Sequence, residues 1–131
     1  MAFYGTVEDV KDLTGVRFAD LYLDDEHELD AKLEGWLEIA TSMINYHQGI
    51  DYFEEFETIP PAIDSIAIRM TANLVTEAKL RREANVIRLG EHSERPIYSM
   101  VMTKDIIRDL KDLPSNRRVF SFTEGGFEYR G

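Results

Sequence analysis

The stretch whose reading decides the fold is Glu26–His47, EHELDAKLEGWLEIATSMINYH. Leu29, Leu33, Trp36, Leu37, Ala40, Met43, Ile44 and His47 recur in it every three or four residues. That period predicts a helix of about six turns with one continuous apolar stripe. Asp30, Glu34, Glu38 and Asn45 fall on the opposite side, which is therefore expected to face water. A second long helix is predicted from Pro61 to about Arg82, because proline suits a first helical turn. Ile63, Ile66, Ala67, Met70, Leu74 and Ala78 make one stripe of it, and Ile68, Ala72 and Val75 lie on another side. A helix apolar on more than one side is buried on more than one side. It is either the centre of a bundle or packed on a neighbouring subunit.

Two long helices with a short linker make a helical hairpin, and the remaining signals add short helices at either end. Thr6 is an N-cap with Asp9 three residues on, and Gly15 is placed just past the end of a first helix whose buried side is expected to hold Val7, Val10 and Leu13, with Val16 just beyond. Arg17–Leu23 reads as a connector leading into the acidic start Asp24-Asp25-Glu26, which the helix macrodipole favours. Gly49 closes the first long helix, and Ile50–Ile59 reads as a loop whose Tyr52, Phe53 and Phe56 fold back onto the core. Thr103 caps a last helix with Ile106, Ile107, Leu110 and Leu113 inward and Pro114 as its stop.

The fold class is thus all-α: a small antiparallel helical bundle over residues 1–114. The segment Glu83–Met102 reads as a projecting loop or hairpin around Gly90–Pro96, with Val86–Leu89 and Ile97–Met102 as its arms. Residues 115–131 form an extended aromatic tail that alternates around Gly125-Gly126, a pattern suited to pairing with a sheet edge.

The formal charge of −10 opposes a sequence-independent nucleic-acid binder, which needs a basic footprint. The charge is also split. There are 15 acidic and 3 basic residues up to Pro60, against 10 acidic and 12 basic from Pro61 onward. A head-to-tail contact between copies would use that asymmetry to fix register. The absence of cysteine removes disulfides, thiol nucleophiles and cysteine-ligated metal. The opening MAFYGTVEDV has neither a basic n-region nor an apolar h-region, so a cytoplasmic site of synthesis is expected. No apolar run approaches the roughly 18 residues of a membrane span.

Signals for chemistry are sparse. His27, His47 and His92 share no metal-ligand spacing, and the carboxylates near Asp24 lack the central glycine of a calcium loop. Glu34 and Glu38 share a helix face, as in the magnesium sites of all-α nucleotide hydrolases, where Glu77 would have to join them. The phosphate-binding and nucleophile-elbow motifs built on glycine do not occur. No cofactor, metal or catalytic residue is expected.

The order of parts resembles the small helical adaptor, or head-completion, proteins of tailed-phage head–tail connectors. The resemblance runs over roughly residues 5–114. It rests on the capped helix Thr6–Gly15, the Leu29-x3-Leu33-x2-Trp36-Leu37-x2-Ala40-x3-Ile44 helix, the aromatic loop and the Ile59-Pro60-Pro61-Ala62-Ile63 helix entry. Glu83–Met102 has no counterpart in that pattern. The resemblance implies a non-enzymatic virion protein that forms a homo-oligomeric ring, a dodecamer, beneath the portal protein. Such a ring extends the channel through which DNA passes without specific binding, and it docks the next connector or tail protein. It also implies that Arg117, Arg118, Phe120, Phe122, Phe127 and Tyr129 join the portal by strand addition. The subunit contact is expected to pair Glu34 and Glu38 with Arg81 and Arg82. A second reading is an acidic helical binding module, either a DNA mimic or a regulatory protein.

Overall fold

A computed structural model describes residues 2–81 and 99–116. All regular structure among them is helical. The elements are α1 (Val7–Thr14), a 3-10 turn (Phe18–Leu21), α2 (Glu26–Gln48), α3 (Tyr52–Glu55), α4 (Pro61–Arg81) and α5 (Lys104–Lys111).

The helix ends follow from side-chain chemistry. Thr6 Oγ1 accepts from the Asp9 amide at 3.1 Å, and Asp25 Oδ1 accepts from the Glu28 amide at 2.9 Å. Each supplies a partner to an amide that has none inside its helix. Gly15 and Gly49 leave α1 and α2 in the left-handed conformation, at φ +66° and +76°. Gly15 N donates back to the Lys11 carbonyl and Gly49 N to the Asn45 carbonyl.

The predicted stripe of α2 is the buried one: Leu29, Leu33, Trp36, Leu37, Ala40, Met43 and Ile44 all lie inside. Its last predicted member, His47, is half-buried, and the next residue, Gln48, is the one fully enclosed. Two residues assigned to the wet side have partners instead. The Asp30 carboxylate meets the Lys11 ammonium of α1, and Asn45 accepts from Tyr4.

The choice left open for α4 is settled by its neighbours. It packs against α1, α2, α5 and the 3-10 turn, so it is the central helix of the subunit. Ile63, Ile66, Ala67, Met70, Leu74, Val75 and Ala78 are all buried by this chain's own elements. Its several apolar sides are therefore explained without a neighbouring subunit.

Four local expectations change. Leu13, expected on the buried side of α1, is exposed, since it points away from α2 and α4. The connector Arg17–Leu23 contains the 3-10 turn, because Asp20 Oδ2 accepts from the Arg17 amide and folds the segment back. The loop Ile50–Ile59 contains α3, whose Asp51 cap accepts from the Phe53 amide. At the end of the predicted hairpin, residues 99–101 are helical rather than extended, and Val101 and Met102 are buried beside α4. Asn73 Nδ2 fixes that turn by donating to the Val101 carbonyl at 3.2 Å. The rest of Glu83–Met102 and the tail beyond Asn116 lie outside the described residues.

α5 is clamped to α4 by Arg69. Its Nη1 donates to Asp109 and its Nη2 to Asp105, each at 2.8 Å. This fork, with Asp109 first, holds the guanidinium more firmly protonated, and the Thr103 hydroxyl followed by Arg69 lowers the Asp105 carboxyl below its usual range.

Gly5 and Gly15 provide a graded test of backbone constraint. Both have positive φ, but a Cβ at Gly5 would lie 2.8 Å from Ile68 Cγ1 and 3.3 Å from the Asp64 carbonyl, whereas one at Gly15 would meet nothing within 4 Å. Gly15→Ala is expected to cost only the left-handed penalty, about 1–2 kcal/mol. Gly5→Ala should cost distinctly more, because the entry to α4 must also shift. Urea denaturation of the two variants checks the order.

Candidate interaction surface

Two features of the described surface stand out, and both are built on α2. The first is a polar junction at its C-terminal end. Gln48, fully enclosed, donates from Nε2 to the carbonyls of Leu110 at 3.0 Å and Pro114 at 3.3 Å, and lies 3.1 Å from Tyr52 Oη. Its Oε1 sits 2.9 Å from His47 Nδ1, a contact that the Nδ1–H tautomer satisfies. Tyr52 Oη donates to the Pro114 carbonyl. Tyr4 Oη donates to Asn45 Oδ1 at 2.6 Å and accepts from the Tyr52 amide at 3.0 Å. The Tyr4 amide in turn donates to Thr41 Oγ1 at 2.9 Å. The rings reinforce this: Tyr4 meets Tyr52 edge-on and stacks on Phe53, and Tyr52 stacks on Phe56.

The junction ties the N-terminal segment, α2, α3 and the residues after α5 into one knot. Asn116 N donates to the Gln48 carbonyl at 2.6 Å, so the chain enters its C-terminal tail from the end of α2. Arg117, Arg118, Phe120, Phe122, Phe127 and Tyr129, the predicted portal-docking residues, lie outside the described residues. Their point of departure is fixed all the same.

The second feature is the outer face of α2. Ala31, Gly35, Ile39, Ser42 and Tyr46 follow one another along it at helical spacing, without a charge among them. Ala31, Ser42 and Tyr46 are exposed, Tyr46 at 77%, and Gly35 and Ile39 are half-buried. Beside this line runs a shallow groove of about 470 Å³ lined by Leu23, Glu28, Ala31, Lys32, Gly35, Trp36 and Ile39. A glycine inside a helix costs about 1 kcal/mol relative to alanine. Among the described residues nothing lies within 4 Å of where a Cβ on Gly35 would sit.

Glu34 and Glu38 flank the line, as their spacing predicts: Glu34 is exposed and Glu38 half-buried. Arg81 is the last described residue of α4, Arg82 falls outside, and no pairing between them and the glutamates can be described. The described molecule instead shows a basic ridge that the sequence reading passed over. Lys104, Arg108 and Lys111 lie at i, i+4 and i+7 on α5 and are all exposed. The signal was present in the spacing, but the outer face of α5 becomes identifiable only once Ile106 and Leu110 are known to point inward.

Elsewhere, Lys11 bridges Glu26 and Asp30, and these carboxylates, Asp30 first, raise its pKa above the ordinary lysine range. His27 is exposed, and His92 lies outside the described residues. Among the described residues no three His, Asp or Glu side chains gather at metal-binding distance, so Glu34, Glu38 and Glu77 do not form the carboxylate set a magnesium site needs. No described helix is long and apolar enough to cross a membrane. In comparisons with known proteins, no family model, curated protein or solved structure matches this chain.

The junction has a titration signature. Burial, the largest cause, pushes the Tyr4 phenol up from 10.0 to about 12, so the fold favours the protonated form. Its contribution to stability is complete below about pH 10, and is lost as pH rises from there through about 12. Thermal unfolding should show a steep loss in that window. Tyr4→Phe should flatten it while lowering neutral-pH stability by about 1–3 kcal/mol, since the Tyr52 amide and Asn45 lose their partner.

Proposed function

We propose that the chain is a structural, non-enzymatic subunit of a phage head–tail connector. It would form a ring beneath the portal, extend the DNA channel and dock the next connector or tail protein. The observation that carries this reading is the outer face of α2, where an uncharged line flanked by Glu34 and Glu38 runs beside a shallow groove on a firmly capped helix. A surface of this kind serves assembly, since it offers close approach and register but no group poised to react. The acidic balance supports the channel role, because like charge lets DNA slide without adhering. The anchored root of the tail supports the docking role: a rigid junction at Gln48 and Asn116 presents an aromatic segment from a defined place.

The runner-up, an acidic binding module, is favoured by the exposed carboxylates of α1 and the start of α2, among them Glu8, Asp9, Asp12, Asp25 and Glu28. The two readings separate on mass in solution. The connector reading expects a ring, either in the free protein or on mixing with the portal encoded in the same genome. A stable monomer that ignores portal and binds a basic DNA-binding protein would transfer the assignment to the module.

The tail makes its own prediction. Phe120→Ala with Phe122→Ala should leave the thermal unfolding of the bundle unchanged and abolish co-sedimentation with portal rings. Normal co-sedimentation of that variant would remove the tail from the docking site.

A further inference from the structure

The inward side of α2 is largely apolar, yet it closes on a glutamine, Gln48, that is fully enclosed. A primary amide taken out of water costs stability unless its groups are bonded. Gln48 meets that condition largely with residues from one part of the chain, the exit from α5. We infer that Gln48 is the positioning residue of the C-terminal tail. It fixes the direction in which the tail leaves the bundle, so that the portal meets a preset segment. This deepens the connector reading above and rests on it.

Three observations lead there. The first is where the bonds go. The Gln48 side chain donates to the carbonyls of Leu110 and Pro114, and its main-chain carbonyl accepts from Asn116 N at 2.6 Å. One residue thus holds the chain at two successive points, 114 and 116, on its way out. A leucine or methionine at this position would fill the space without directing anything, since apolar contact has no direction.

The second is the double grip on Pro114. Its carbonyl has two lone pairs and two donors, Gln48 Nε2 at 3.3 Å and the Tyr52 hydroxyl. Proline carries no amide hydrogen, so the carbonyl is the main-chain group by which position 114 can be held. Tyr52 is itself set in place, because its amide donates to Tyr4 Oη.

The third is the length of the tether. Phe120 lies four residues beyond Asn116 in the sequence. At about 3.3 Å per extended residue, it stays within roughly 13 Å of the held amide. So short a tether confines its search and raises its effective concentration at a fitting site. Residues ordered beforehand also need no ordering on docking.

The test uses the full chain and portal rings from the same genome. Gln48→Met keeps the length of the side chain and removes its hydrogen bonds. Hydrogen exchange at the Asn116 amide should become at least about tenfold faster, and the Kd for portal should rise at least about fivefold. Tyr52→Phe, the milder change, should act in the same direction by a smaller factor. The double variant should fall short of the product of the two, because both donors hold one carbonyl. Leu29→Val, at the opposite end of α2, should lower the melting temperature of the bundle and leave both readouts at the parent values.

Faster exchange at Asn116 with unchanged portal affinity in both variants would overturn the positioning role and leave the connector reading standing. Unchanged exchange at Asn116 would do the same. An equal loss of affinity in Leu29→Val would reduce Gln48 to a stabilising residue and so overturn the role as well. A parent chain that does not bind portal would overturn the connector reading, and the positioning role with it.

Discussion

The structure depends on α4 being covered from several directions at once. Its apolar residues lie on more than one side, so the chain must supply a partner for each of those sides, and α2, α1, the 3-10 turn and α5 all pack on it. The short elements are too brief to be stable alone. They hold their places because they close that enclosure. Gly5 shows how tight it is, since the first turn of the chain passes within a Cβ's reach of Ile68 and the Asp64 carbonyl.

Polar chemistry then fixes what burial leaves loose. Apolar contact is non-directional, and a four-residue helix such as α3 could slide on it. Tyr4, Asn45, Gln48 and Tyr52 prevent this, because each brings a polar group into the interior that must find its partner. The enclosed Gln48 amide has acceptors from both Leu110 and Pro114, so the end of α5 and the root of the tail are set against the end of α2. The Arg69 fork does the same for the start of α5.

The outer face of α2 departs from the economy of the rest. Gly5, Gly15 and Gly49 answer to a left-handed turn, whereas Gly35 is helical and nothing among the described residues lies within 4 Å of where its Cβ would sit. A helix surface whose central line carries no charge, flanked by Glu34 and Glu38, holds a glycine at a cost of about 1 kcal/mol relative to alanine.

Much of the architecture was legible from the chain itself. The three-four period of Leu29 to Ile44, the caps at Thr6 and Asp25, the terminating Gly15 and Gly49, and the Pro61 start are local rules, and local rules act within a turn or two of their residues. What stayed hidden depends on residues far apart in sequence. Asn45 was assigned to water, yet Tyr4, 41 positions away, donates to it. Asp30 looked solvated until α1 brought Lys11 to it, and Lys104, Arg108 and Lys111 became a ridge only when α5 turned its other face to α4. By itself the sequence determined that the chain is a helical hairpin with short flanking helices, since periodicity and capping are properties of neighbouring residues. Only the tertiary structure decided that α4 is the centre and that the end of α2 holds the root of the tail. Only it, too, set Ala31, Ser42 and Tyr46 of α2 on the exposed side among the described residues, because coverage is a property of how whole helices are set against one another.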